Sequence, residues 1–107
     1  MTTARFDELI HPSTRLSIVA LLAAADWVEF GYVRDHLGLS DSALSKQLST
    51  LEQAGYVTVN RSDRRRVRAR LTGDGRAAFR GHVAALQAIV TAADAEPARP
   101  TGNRRRA

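Results

Sequence analysis

The feature that most constrains this chain is a change of hydrophobic period at Gly55. Before it, Leu44, Leu48 and Leu51 recur at the spacing of one α-helical face, and a glycine is typical of the position just past a helix end. After it, apolar residues alternate with polar ones in VTVN and again in VRARL. Two alternating runs joined by a short polar connection predict a β-hairpin with one buried face.

The helix before Gly55 has two unlike faces. It is predicted over Asp41–Ala54, and Ser40 or Asp41 suits its N-cap. Opposite the leucines lies a polar face without acidic residues, formed by Ser42, Ser45, Lys46, Ser49 and Gln53. Hydroxyls, an amide and one ammonium can approach the floor of a DNA major groove without steric or charge conflict. A serine-rich face that meets only water is the alternative.

A shorter helix is predicted upstream, because Phe30, Val33 and Leu37 follow helical spacing. The segment LGLS, whose glycine suits a tight bend, joins it to the helix over Asp41–Ala54. Two such helices form a helix-turn-helix, and a hairpin directly after them makes a winged helix. The predicted fold class is therefore mainly α with a small β-hairpin (α+β), a winged helix-turn-helix.

The positive charge is concentrated in the hairpin and the C-terminal end. The net charge is +5, and the segments Arg61–Arg70 and Arg99–Ala107 hold 10 of the 16 basic residues but only 1 of the 11 acidic ones. The rest of the chain therefore contains six basic and ten acidic residues. A weakly acidic body that presents arginine at two places suits a polyanion such as nucleic acid.

The first strongly apolar helix is predicted from Pro12 to about Ala25, preceded by a short helix over Thr2–Ile10. Its sequence LSIVALLAAA is apolar on most sides, so most sides must be covered. We expect a partner subunit against the stripe that contains Ile18 and Leu22. Deep burial within one subunit is the alternative.

The last helix is predicted over Gly73–Ala93, with Thr72 as its cap. It carries apolar residues at the spacing of a helix–helix seam. This seam favours pairing with a second chain; folding back over the first helix is the alternative, and both can hold in a dimer. The predicted dimer interface comprises Phe6, Leu9, Ile18, Leu22, Phe79, Val83, Leu86 and Val90.

Three stretches together resemble a known family: HPSTRLSIVALL, LGLSDSALSKQLSTLEQAGYVTV and RVRARLTGDGRAAFRGHVAAL. They are similar to the compact winged-helix transcriptional regulators related to the MarR and ArsR groups. The resemblance implies a homodimer that binds double-stranded DNA at a roughly palindromic operator. It also implies a recognition helix over Asp41–Ala54 and a wing over Val57–Leu71. ArsR-type metal sensors usually carry cysteine ligands, and this chain has no cysteine.

The DNA contacts expected from this interpretation divide between the recognition helix and the wing. Lys46 is expected to donate to guanine and the serines to read bases permissively, while the wing arginines bind phosphates or the minor groove. Arg34 is a further phosphate candidate. The predicted DNA-binding residues are Ser42, Ser45, Lys46, Ser49, Thr50, Gln53, Arg61, Arg64, Arg65, Arg66 and Arg68.

Other function classes receive little support from the sequence. His11, His36 and His82 lack a second ligand at helical spacing, so we expect no metal, and no cofactor or catalytic motif is present. We expect a non-enzymatic cytoplasmic protein, with residues 1–95 as the DNA-binding and dimerisation domain and 96–107 as a disordered basic tail. A small-molecule effector stays unknown. The competing interpretation is a winged-helix protein-interaction module for an acidic partner, with RNA binding as a variant.

Overall fold

The computed structural model describes residues 4–95. Within that range the chain forms four helices and three short strands. In chain order they are α1 (Ser13–Ala23), β1 (Val28–Glu29), α2 (Phe30–Leu37), α3 (Asp41–Gln53), β2 (Val57–Asn60), β3 (Arg68–Leu71) and α4 (Gly73–Ala95). The predicted fold class, mainly α with a winged helix-turn-helix, is confirmed.

The strands form one antiparallel sheet in the order β1-β3-β2. Val57 pairs with Leu71 and Asn60 with Arg68, so β2 and β3 form the predicted hairpin. The third strand, β1, lies directly before α2. Val28 of β1 pairs with Ala69, which makes β3 the central strand.

The core lies between the inner face of the sheet and the helices. Its buried side chains come from α1, α2, α3 and all three strands: Ile18, Val19, Leu22, Val28, Val33, Leu44, Leu48, Leu51, Val57, Ala69 and Leu71. The three leucines of α3 thus face inward as their spacing predicts, which turns the opposite face of α3 outward.

The burial of Ile18 and Leu22 in this core corrects the prediction that they belong to the dimer interface. Ile18 and Leu22 are both 0% exposed in the single chain. The sheet and the neighbouring helices already cover the stripe that contains them, since α1 contacts β3, α2, α3 and α4. A side chain without accessible surface in one subunit has none to offer a partner, so deep burial within one subunit is the correct reading for this stripe.

The ends of α3 have the expected local structure. Ser40 is the N-cap, and its hydroxyl accepts a hydrogen bond from the Ala43 N–H at 3.1 Å. Beyond the other end, Gly55 has φ of 82°, a left-handed conformation that suits glycine. The next residue, Tyr56, donates its N–H to Leu51 O and turns the chain into β2.

A tight junction joins this turn to the start of α4. Thr72 caps α4 by accepting the Gly75 N–H at 3.0 Å, and its own N–H bonds to Tyr56 O. Gly75 lies so close to Tyr56 that a Cβ atom at this position would overlap the Tyr56 carbonyl oxygen. The junction therefore fixes where α4 leaves the sheet.

The N-terminal segment departs from the predicted helix over Thr2–Ile10. Residues 4–7 have no regular structure and residues 8–10 form turns. The Asp7 carboxylate accepts the Leu9 and Ile10 N–H groups, which is a local alternative to helical bonding, and Arg5 N–H bonds to Gly81 O on α4. The segment is therefore a strap held by tertiary hydrogen bonds.

His82 anchors this strap. Its ring is 0% exposed, and Nδ1 accepts the Asp7 N–H at 2.9 Å. Phe6 and His11 pack against the ring, with centroids 4.8 and 5.5 Å away. Among residues 4–95, Nε2 has no hydrogen-bond partner. Burial, followed by the neighbouring His11, lowers the pKa of His82 below its ordinary value.

The two halves of α4 differ in burial. Gly81 and His82 in the first half are buried, and Phe79 packs against the core. In the second half Ile89 and Val90 are about 60% exposed. The predicted tail over 96–107 lies outside the described residues.

Candidate nucleic-acid interface

The outward face of α3 carries most of the predicted base-reading residues. Ser42, Ser45, Lys46 and Gln53 are exposed, whereas Ser49 is half-buried. Gln53 Nε2 donates to Ser49 Oγ at 3.4 Å, so these two residues partly satisfy each other. In the described part of the chain, Lys46 has no carboxylate within ion-pair distance. The structure thus brings one unpaired ammonium and two exposed hydroxyls to the middle of this face.

Arg34, the further phosphate candidate, is paired with two carboxylates. Its guanidinium bonds to Asp35 at 2.8 Å and to Asp41, in the first turn of α3, at 2.9 Å. The hydrogen bond between Arg34 and Asp35 lowers the pKa of Asp35 and raises that of Arg34. These bonds use Nε and Nη1 of the guanidinium, and both carboxylates compensate its charge. Arg34 therefore ties α2 to the start of α3.

The tip of the wing is built by side-chain acceptors rather than by glycine. Asn60 Oδ1 accepts from the Ser62 N–H and hydroxyl, and Asp63 Oδ1 accepts the Arg65 N–H. Arg64 and Arg65 are exposed, and neither guanidinium has a hydrogen-bond or carboxylate partner within the range 4–95. We call these two residues the wing tip.

The arginines that flank the tip are paired. Arg61 bonds to both carboxylate oxygens of Glu52, at 3.1 and 3.2 Å, and so connects the wing to α3. Arg66 places Nε and Nη2 on one oxygen of Glu29, at 3.3 and 3.1 Å. The hydrogen bonds to Glu52 raise the pKa of Arg61. The concentration of arginine seen in the sequence is therefore partly neutralised in the fold.

Arg68 and Arg70 lie on the outer face of the sheet rather than at the tip. Their guanidinium carbons stand 5.4 and 5.3 Å from the ring centroid of Trp27, and Arg70 also pairs with Asp26 at 3.1 Å. Sequence reasoning missed this arrangement. It depends on the pairing of the two-residue strand β1 with β3, and so short a strand leaves no periodic signal.

A cleft of about 310 Å³ separates α3 from the wing. Ser45 lines it from the helix and Arg61 lines it from the wing, so the outward face of α3 and the base of the wing open onto one concave surface. The other lining residues are Phe30, Asp41, Leu48, Val59 and Val67. Two of the predicted DNA-binding elements thus lie on the same side of the molecule.

Two other kinds of site were searched for in residues 4–95. No group of three or more histidine, cysteine, aspartate or glutamate side chains is arranged to hold a metal ion there. Nor does any helix in that range have the length and apolar character needed to cross a membrane.

Comparison with known proteins agrees with this geometry. Residues 14–90 match a family model described as a winged helix DNA-binding domain. The chain is 30% identical over 79 residues to the uncharacterised protein MJ0432 of Methanocaldococcus jannaschii, in an alignment that covers 71% of this chain and 86% of that protein.

Two solved structures show the same fold. A transcriptional regulator homologue from Pyrococcus horikoshii OT3 superimposes with a TM-score of 0.77 at 22% identity, over 82% of this chain and 90% of that chain. The homodimeric winged helix-turn-helix DNA-binding domain of Mb0332 from Mycobacterium bovis gives a TM-score of 0.60 at 22% identity, over 88% and 82% of the two chains. These matches confirm the winged-helix fold predicted from the sequence.

Proposed function

Because this chain belongs to the winged helix DNA-binding domain family, we propose that it is a sequence-specific regulator of transcription that binds double-stranded DNA as a homodimer in the cytoplasm. The observation that carries the proposal is the shared surface of α3 and the wing. Ser45 and Arg61 line one cleft. Within residues 4–95, neither Lys46 beside this cleft nor the two guanidinium groups of the wing tip pair with a carboxylate. Such a surface combines groups that read bases with charge that attracts phosphates.

Within this proposal α3 enters the major groove. Lys46 donates to O6 or N7 of guanine, and Ser42, Ser45 and Ser49 contact base edges with weak discrimination, because a hydroxyl can donate or accept. Thr50 and Gln53 contact the DNA backbone. The Thr50 hydroxyl donates to Lys46 O at 3.2 Å, so it must exchange this hydrogen bond for one to a phosphate oxygen when DNA binds.

The wing supplies affinity more than sequence preference. Arg64 and Arg65 bind phosphates or enter the adjacent minor groove, where a narrow groove favours arginine. Arg61, Arg66 and Arg68 belong to the same surface but start from contacts with Glu52, Glu29 and Trp27. We expect these three to contribute less than the tip.

The homodimer is supported by the exposed second half of α4. Ile89 and Val90 leave an apolar surface on a helix of 23 residues, about 35 Å long. The similar Mycobacterium bovis domain is described as homodimeric. The proposed interface comprises Phe6, Leu9, Phe79, Val83, Leu86 and Val90. A two-fold dimer would place two α3 helices in successive major grooves, about 34 Å apart.

The test is selection of bound duplexes from random DNA, followed by gel shifts at rising salt with bulk DNA as competitor. We expect an enriched, roughly palindromic sequence that outcompetes bulk DNA. If four to six phosphates are neutralised per dimer, the log–log dependence of affinity on salt should have a slope of about −4 to −5. A protein that selects no sequence over bulk DNA would contradict a sequence-specific regulator.

A further inference from the structure

The contact between Glu52 and Arg61 is the one ion pair that joins α3 to the wing in the described part of the chain. Glu52 lies in the last turn of α3 and Arg61 directly follows β2. Each carboxylate oxygen accepts one guanidinium N–H, at 3.1 and 3.2 Å. This two-bond geometry is the one in which arginine binds either a carboxylate or a phosphate best.

A phosphate and the Glu52 carboxylate therefore compete for the same donors. The Arg61 side chain is 59% exposed and that of Glu52 is 35% exposed, so the pair is open to a ligand from solvent. An exposed ion pair of this kind contributes little net stability, which means that a DNA phosphate can exchange with it. While the pair persists, the Glu52 carboxylate covers the Nη1–Nη2 edge of the Arg61 guanidinium and compensates its charge.

We propose that Glu52 restrains the binding of bulk DNA by occupying Arg61, so that the wing tip supplies most of the nonspecific affinity of the wing. This inference rests on the proposed function and assigns Glu52 a specificity-determining role in it. Nonspecific binding is almost wholly electrostatic, whereas specific binding adds base contacts from α3. A carboxylate that withholds one guanidinium from phosphates therefore lowers nonspecific affinity and raises the ratio of specific to nonspecific binding.

The geometry singles out Glu52 from the other carboxylates of the surface. Glu29 receives both Arg66 bonds on a single oxygen, and Asp26 receives Arg70 on the outer face of the sheet, beside Trp27. Only Arg61 both pairs with α3 and lines the cleft shared with Ser45. Release of Arg61 would place a free guanidinium between the two DNA-contacting elements.

The experiment measures binding of a random-sequence 30-base-pair duplex over a range of salt concentrations. Glu52→Gln keeps the size of the side chain and removes its charge. We expect it to raise affinity about two- to fivefold at low salt. The salt slope should steepen by up to about 0.9 for each phosphate gained. Asp94→Asn, an exposed change near the end of α4, is the matched control for net charge and should leave both quantities near the wild-type values.

A double-mutant cycle separates the pair from a general effect of charge. In an Arg61→Gln background, Glu52→Gln should add nothing beyond the Asp94→Asn control, because no guanidinium is left to release. Equal gains in both backgrounds would overturn the proposal, as would a Glu52→Gln single variant that matches Asp94→Asn. Circular dichroism and urea unfolding verify that each variant is folded. A folded wild-type protein that does not bind the duplex overturns the proposed function and this inference together, whereas a binding wild type with a silent Glu52→Gln overturns only the inference.

Discussion

The outward face of α3 and the wing differ in how their polar groups are supported. On α3, the leucines behind the face are buried, and the exposed groups are hydroxyls, an amide and the ammonium of Lys46. The wing carries six arginines, and four of them already contact a carboxylate or Trp27: Arg61, Arg66, Arg68 and Arg70. The first surface is rigid with little charge, and the second is highly charged but largely compensated.

This difference indicates a division of labour. A surface with few charges can distinguish DNA sequences only if positively charged groups elsewhere hold the DNA against it. An arginine-rich hairpin attracts any DNA, and its specificity suffers unless its charge is limited. Most of the wing arginines are paired, whereas Arg64 and Arg65 have no partner among the described residues. The attraction for DNA is therefore concentrated at the wing tip.

The junction between Tyr56 and the start of α4 holds both α3 and the wing in place. Gly75→Ala would push a Cβ atom into the carbonyl oxygen of Tyr56, which joins α3 to β2. We expect a loss of roughly 3 kcal/mol in the free energy of unfolding, measured with urea. Gly73→Ala is the matched control, because its Cβ would meet no atom within 4 Å. Equal stability of the two variants would show that the junction tolerates movement.

The wing tip should supply more of the attraction than the sheet face. Arg64→Ala combined with Arg65→Ala should weaken binding of every duplex, by roughly tenfold or more at low salt, and flatten the salt slope by about 0.9 for each phosphate lost. Arg68→Ala with Arg70→Ala removes the same charge and should have a clearly smaller effect, since both side chains lie over Trp27. Fluorescence anisotropy over a salt series measures both. Similar losses would mean that net charge alone matters.

On α3, the expected change is in preference rather than in overall affinity. Lys46→Ala should cost about 1 kcal/mol on duplexes that carry the guanine it contacts and much less on others. The measurement is the rank order of sequences selected by wild-type and variant proteins from the same random pool. Ser49→Ala, at a half-buried position on the same face, should alter that order less. A uniform loss on all sequences after Lys46→Ala would assign Lys46 to phosphate.

Low pH should destabilise the fold at His82, which anchors the N-terminal strap, rather than change the outward face of α3 or the wing. Burial lowers the pKa of His82 in the folded chain, while the unfolded chain titrates near 6.5, so the unfolded chain binds more protons below that pH. The free energy of unfolding should therefore fall as the pH drops below about 6.5, until the folded His82 is also protonated. His82→Gln should be less stable at pH 8 but show a shallower fall with pH, measured by urea unfolding at several pH values. Parallel pH profiles would exclude His82 as the source.

Local features of the sequence determined the elements of this fold. The inward leucines of α3, its cap and the glycine past its end depend on neighbours within about one helical turn. The leucine face and the helix end at Gly55 were predicted, and Ser40 is one of the two predicted N-caps. The alternation in the hairpin and the turn residues Asn60 and Asp63 are equally local. Forces between near neighbours are visible in a sequence, so the winged helix could be recognised from it.

The partners of the charged and buried groups were decided only by the tertiary structure. Nothing local indicates that Glu29 would meet Arg66, that Asp7 would bind His82, or that β1 would complete the sheet. The burial of Ile18 and Leu22 was likewise misassigned, because an apolar stripe does not reveal whether its own chain or a second one covers it. A sequence pattern states which groups need a partner, whereas the packing of distant segments decides which partner each group finds.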